Sequence, residues 1–337
     1  MKDNRISVFA CGLIWFGAAV SVAEVEAGIQ SGVNWLALIT GHLLGGCILF
    51  AVGLIGAYSR LNAMQTTVGT FGKGGSKFFA TLNMFQLVGW TAVMLAQAAM
   101  LLKGFSSGIS EQAAIVVLAI FIALGVLAGI KNSAKAATAG MALLAILLAI
   151  LGYKLLTVHG TTGAAPAVPL DFWSAFEISV AMPLSWLPLI SDYTSNARHP
   201  LAGTAASAIT YTAVSICMFG IGMLISTWGE GANLAFAIKA VGLGIPGFII
   251  VGFSTIATTF LDAYSAGESV KSIYDNINSK IVGVSTCAAG AFLAISGIID
   301  RYTSFLYMIA SVFAPMAAVL LVSHYIRKSR PKWRNFA

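Results

Sequence analysis

The sequence predicts an all-α integral membrane protein of about ten transmembrane helices, arranged as five plus five with the second half inverted and helices 1 and 6 broken. Three observations predict it. The chain is 58% hydrophobic and only 9% charged, with mean hydropathy +0.88, whereas a soluble domain is roughly 25% charged. The basic residues fall on one side of an even number of spans, so five spans per half must run in opposite senses. The first and sixth apolar segments are interrupted at matching places, around Gly12 and Gly17 in CGLIWFGAAVSVAEVEAG and around Pro183 and Pro188 in VAMPLSWLPLISDY. Lipid tolerates free backbone N–H and C=O groups only where protein or a bound ligand satisfies them, so a pair of damaged helices points to a transporter's binding site.

The spans are expected at 6–27, 34–57, 76–103, 112–131, 137–157, 172–193, 204–227, 243–265, 281–299 and 302–325. Most are near the ~20 residues that cross the hydrocarbon core. Turn residues such as GKGGSK at 72–77 and KNSAK at 131–135 are expected to form short loops between them. The organisation is then a first repeat over 1–157, an external connection over 158–171, a second repeat over 172–325 and a basic tail over 326–337. An outer-membrane barrel would instead alternate apolar and polar residues in segments of about ten. The N-terminal MKDNR and its apolar sequel look like a signal peptide only superficially, since Trp15, Glu24 and Glu26 fit a cleaved apolar region poorly.

Of the 19 Lys and Arg residues, 15 lie at the termini and in the loops leading from even to odd spans, among them Arg5, Arg60, Lys73, Lys131, Arg198 and Lys280. The opposite side holds Lys103, Lys239 and Arg301, with Lys154 near a span end. This bias puts both termini in the cytoplasm, in a multi-pass protein of the inner membrane. It also accounts for the net charge of +7 without a nucleic-acid partner; the partners expected are the lipid bilayer and a small molecule. Cys11, Cys47, Cys217 and Cys287 lie in apolar runs without metal spacing and read as core residues.

Ionisable residues at bilayer depth are costly and functional by default. Asp262 in span eight is the deepest in its segment. Asp192 reads as a helix cap or ion pair at the end of span six, and Glu177 as a solvated interface residue. Glu24 and Glu26 follow the break in span one and either reach external water or face a central cavity. His42 in span two either packs on a backbone carbonyl or carries protons. In span eight, Thr255, Thr258 and Thr259 share one helical face; such hydroxyls suit a hard monovalent cation, or glue helices together. In span three, Gln86 and Trp90 are one turn apart, an amide beside an indole. Trp90 and Trp186 sit near mid-span, where interfacial tryptophans do not belong.

The segments TGHLLGG, IGAYSRLNAMQTTVGTFGKGGS, FQLVGWTAVM, SWLPLISDYTSNARHP and FSTIATTFLDAYSAG resemble the nucleobase:cation symporter-1 family, in its cytosine-permease branch and nearest its hydroxymethylpyrimidine permeases. The resemblance covers nearly the whole chain. It implies a five-plus-five inverted-repeat transporter, here without the last two spans of many members. It implies a cation site from backbone carbonyls at Gly12 and Trp15 with the hydroxyls of Thr255, Thr258 and Thr259. It implies a base held between aromatics, the first at Trp90. The second aligns near Pro183, with Trp186 and its neighbour Ser185 in reach. The family's amide matches Gln86 with a one-residue slip, and a span-eight asparagine has only Asp262 nearby. Glu24 and Glu26 are unlike cytosine permeases, which argues against cytosine itself.

The expectation is a cation symporter for a pyrimidine-type base, hydroxymethylpyrimidine foremost, with cytosine or a purine as the alternative. The substrate-binding residues expected are Glu24, Gln86, Trp90, Ser185, Trp186 and Asp262. No cofactor is expected; sodium is the expected coupling ion and a proton the alternative. An intramembrane enzyme is disfavoured by the lack of His–Glu zinc spacing or a Ser–His pair in adjacent spans, and a channel by the absence of repeated charge or carbonyl rings.

Overall fold

The structure is a computed structural model that describes residues 5–105, 108–128, 130–157, 162–165, 168–271 and 276–327. Most of the basic tail and parts of the 158–171 connection lie outside the described residues. Among those described, helices run in the order α1 (Val8–Ala19), α2 (Val22–Ser31), α3 (Trp35–Ser59), α4 (Ala63–Phe105), α5 (Glu111–Ala128), α6 (Ile130–Thr157), α7 (Phe172–Ser185), α8 (Leu187–Thr194), α9 (Pro200–Ser226), α10 (Leu234–Ala240), α11 (Gly244–Lys271), α12 (Ser279–Ile295) and α13 (Tyr302–Leu321). Among the described residues six helices are long and apolar enough to cross a membrane, or seven with the bent α1–α2 pair counted as one span.

The first span breaks later than the sequence suggests. The α1 ladder runs through Gly12 and Gly17 and ends where the N–H of Val20 donates to the Phe16 carbonyl. The chain then turns at extended Ser21, whose hydroxyl caps α2 by accepting from the N–H of Ala23, and α2 leaves at 53° to α1. The glycines mislead because a lone Gly lowers helix propensity by only ~1 kcal/mol, whereas a serine that caps the next helix redirects the backbone. In the sixth span the break lies between the two prolines, at Trp186 (φ −91°, ψ −6°), which ends α7 and starts α8. Pro188 supplies the fixed φ and missing N–H that suit a first helical turn.

Three loop expectations are corrected. Residues 63–71 are helical, and only Gly72, at φ 72°, interrupts α4; the rest of GKGGSK is helical. KNSAK at 131–135 lies inside α6. The short helix α10 was not anticipated; Asn233 caps it. Asp192 is a helix cap: its Oδ1 accepts from the N–H of Ala63 at 2.8 Å and so starts α4 from α8. Asp171 caps α7, and the hydroxyl and N–H of Ser174 hold its carboxyl below the usual range.

The helices pack as two groups. The broken pairs α1–α2 and α7–α8 pack with α3 and α9, while α4, α5, α6, α11 and α12 pack with one another. At the α2–α9 crossing, Gly28 lies against the Phe219 carbonyl and Gly222 against the Val25 carbonyl so closely that a Cβ at either would overlap backbone. Small residues at such crossings let membrane helices approach. Gly222→Val should therefore cost about 1–3 kcal/mol through overpacking, seen as a lower unfolding temperature in detergent. Wild-type stability in that variant would show that the close approach is dispensable.

Candidate functional site

Both breaks open onto one cavity. Gly17, Ser21 and Glu24 border it from the first break, and Met182, Ser185 and Trp186 from the second. The opposite wall comes from α4, with Gln86, Trp90 and Met94, and from α11, with Asp262. The cavity is narrow as it stands, with a volume of about 60 Å³. The six residues expected to bind substrate thus share one cavity.

Each wall residue has its polar groups disposed by the fold. Gln86 Nε2 donates to the Ser185 carbonyl at 2.6 Å and to Asn83 Oδ1 at 3.1 Å. The carbonyl released by the α7 break is thus satisfied from α4. The other amide atom, Gln86 Oε1, is buried without a partner. The Ser185 hydroxyl is turned back to the Met182 carbonyl. Glu24 is 1% exposed; its Oε1 accepts from the Tyr211 hydroxyl at 2.8 Å and its Oε2 from Ser215 at 2.7 Å. Asp262 accepts no hydrogen bond among the described residues. The cavity therefore offers acceptors, and no lysine or arginine lines it.

The aromatic walls are braced edge-on. Trp90 meets Tyr302 and Phe305, with centroids 6.2 and 5.3 Å apart. Trp186 meets Trp15 at 5.5 Å and Tyr211 at 6.1 Å. Such T-shaped pairs orient rings, and both indoles border the cavity.

The two remaining acids resolve differently from Glu24. Glu26 points into a separate opening with Gln97 and Lys239 and accepts from Gln30 Nε2 at 3.3 Å. Glu177 is exposed, as its solvated reading has it. His42 contacts a backbone carbonyl, that of Leu38, and two serine hydroxyls besides.

The expected cation ligands are only partly brought together. The carbonyls of Gly12 and Trp15 lie inside α1, where the N–H groups of Phe16 and Ala19 claim them. Gly12 packs toward Thr210 and Ala206 of α9. The carbonyls released by the break begin at Gly17, five residues beyond Gly12 and two beyond Trp15. In α11, Thr255 and Thr259 are buried, 2% and 0% exposed, and the Thr259 hydroxyl has no partner among the described residues. The side chain of Thr258 lies outside the described residues. No cluster of His, Cys, Asp or Glu able to hold a metal occurs among the described residues.

The residues not anticipated are Tyr211, Ser215, Ser179 and the methionines of the wall. Tyr211 and Ser215 are four apart on an apolar helix, a polar stripe visible in YTAVS, but nothing in the sequence ties them to Glu24.

No protein-family model matches the chain, and no curated protein does. Solved structures do. The inward-facing conformation of Mhp1 superposes with a TM-score of 0.77 at 19% identity, over 97% of this chain and 78% of that one. Mhp1 in a closed conformation with bromovinylhydantoin bound, described as a nucleobase-cation-symport-1 family transporter, gives 0.75 at 17% identity, over 97% and 80%. The chain has the fold of the Mhp1 structures. A substrate-bound, outward-open Na+-coupled sialic acid symporter gives 0.69 at 14% identity, again over 97% and 80%. These neighbours are transporters, and the likeness is one of fold.

Proposed function

We propose that the protein is a secondary active transporter that couples cation movement to import of an aminopyrimidine, with hydroxymethylpyrimidine the favoured substrate. It works in the inner membrane with both termini cytoplasmic. The observation that carries this reading is the cavity shared by two helix breaks, one wall from each packed group. Rocking of the group holding α1, α2, α3, α7, α8 and α9 against the other would open that cavity to alternate sides. Its chemistry supports a flat donor-bearing ring: indoles for the faces, and Glu24, Asp262 and Gln86 Oε1 as acceptors. The resemblance of the family segments and the Mhp1-like fold support the same class. The test is counterflow in proteoliposomes. Labelled hydroxymethylpyrimidine should exchange for unlabelled substrate, which a channel cannot do. Exchange of cytosine or a purine instead would move the substrate within the family.

Sodium is the proposed coupling ion, held by carbonyls released at the first break and by the α11 hydroxyls. The buried Thr259 hydroxyl, without a partner among the described residues, supports it, since buried polar groups ordinarily have partners. A cation drives transport only if it binds one conformation better than the other. Thr259→Ala should weaken sodium stimulation of uptake far more than it changes expression. Sodium-independent wild-type uptake, with the pH dependence of a proton carrier, would contradict this.

A further inference from the structure

The cavity carboxylate is one end of a buried polar chain that substrate binding does not require. Ser215 Oγ lies 2.7 Å from Glu24 Oε2 and 2.7 Å from His42 Nε2. Across the ring, His42 Nδ1 lies 2.6 Å from Ser179 Oγ, which lies 2.8 Å from the Leu38 carbonyl oxygen; Nδ1 also comes within 3.2 Å of that oxygen, a longer approach that a single Nδ1 hydrogen serves together with the Ser179 contact. Glu24, His42, Ser179 and Ser215 are each 1% exposed or less.

The four short contacts, of 2.6 to 2.8 Å, are links that each need one hydrogen of their own. With Glu24 ionised and His42 neutral, only three hydrogens are present: one on each serine hydroxyl and one on the ring. One link then sets two acceptors against each other with nothing between them, a costly arrangement where water cannot help. A single added proton fills all four.

We infer that Glu24, Ser215 and His42 form a proton-binding site, in which one proton is shared between the cavity carboxylate and the buried imidazole. Two arrangements fill every link. With the proton on Glu24, the carboxyl donates to Ser215, Ser215 to His42 Nε2, His42 Nδ1 to Ser179, and Ser179 to the Leu38 carbonyl. With the proton on His42, both ring nitrogens donate and Ser215 donates to Glu24. The second becomes the first when the Nε2 proton passes to Ser215 Oγ as the Ser215 proton passes to Glu24 Oε2. One N–H and one O–H bond break, two O–H bonds form, and the net charge is unchanged.

The surroundings leave this chain isolated. Facing Glu24 are Tyr211 of α9, which donates to Oε1; Tyr302 of α13, whose hydroxyl donates to the Ala23 carbonyl; and Asp262 of α11 across the cavity. On its own helix, Glu26 opens elsewhere. The cavity residues of α4 (Gln86, Leu87, Trp90 and Met94) and of α7 (Met182 and Ser185) include no titratable group. Phe219 of α9 lies edge-on to His42 at 4.7 Å, and no other titratable side chain hydrogen-bonds to the ring among the described residues. The members sit on α2, α3, α7 and α9, within one packed group, so the site would move intact against α4 and α11. A substrate donor on Glu24 favours the arrangement with the proton on His42, which ties proton position to cavity occupancy. The proton's role as a coupling ion beside sodium rests on the transporter reading; the binding site does not.

The test is infrared difference spectroscopy of the protein in lipid, without substrate, through a pH titration. The expected result is that a protonated-carboxyl C=O band and the His42 ring bands change together in a single step. Both changes should vanish in Glu24→Gln, and Ser215→Ala should split them into two separate titrations. His42→Gln identifies the ring bands and must shift the carboxyl band, which decides the matter should Glu24→Gln fail to fold. A carboxyl step with the ring unchanged, or no change in either, would overturn the proposal. Failure of the transporter reading would appear in counterflow and not here.

Discussion

Glu24→Gln is expected to weaken hydroxymethylpyrimidine binding about tenfold or more, the equivalent of ~1.4 kcal/mol. The carboxylate borders the cavity and is held by Tyr211 and Ser215, so it is fixed before any ligand arrives. An aminopyrimidine brings an exocyclic amine, and hydroxymethylpyrimidine adds a hydroxyl donor. A charged acceptor makes the stronger bond to both. Gln keeps the shape and one acceptor but loses the charge, so the change isolates electrostatics from packing. Glu26→Gln is the natural control, because Glu26 opens into a different pocket. Equilibrium binding to the purified variants decides: an unchanged affinity in Glu24→Gln with a loss in Glu26→Gln would move the site to the opening beside Glu26.

Trp90→Ala should remove ~1–3 kcal/mol of binding if its ring stacks on the base, taking the magnitude found for aromatic–base stacking. Trp90 borders the cavity and is braced edge-on by Tyr302 and Phe305. Ala also leaves a hole in a braced cluster, so Trp90→Phe separates the effects. Phe retains a ring face and should recover most of the affinity. Loss in both variants alike would mean that the indole matters for packing; loss in neither would pass the aromatic wall to Trp186.

The helical membrane-type fold was legible because apolar runs leave few alternatives for a chain so poor in charge. The sixth-span break was legible because two prolines bracket it. The first was displaced because Gly12 and Gly17 drew attention from Ser21, whose capping role depends on a backbone turn and not on composition. That displacement carries through to the cation site, since the carbonyls of Gly12 and Trp15 are inside an intact ladder. The cavity residues were legible in part: Asp262, Gln86, Trp90 and Trp186 stand out in apolar spans, whereas Glu24 read equally well as reaching external water. Ser179, Tyr211 and Ser215 were not, because Glu24 meets partners 187 and 191 residues away in sequence, and only the close α2–α9 crossing creates that contact. The helix at 63–71 was missed because a short polar stretch carries no span signal.

The central claim is that the cavity at the two breaks holds a flat, donor-bearing base. Its most direct test is a binding screen of pyrimidines and purines against the purified protein, with and without sodium, read by intrinsic tryptophan fluorescence. The predicted result is saturable quenching by hydroxymethylpyrimidine, tighter with sodium and diminished when Trp90 or Trp186 is replaced. Binding of no pyrimidine or purine, or binding that persists unchanged without both tryptophans, would contradict it.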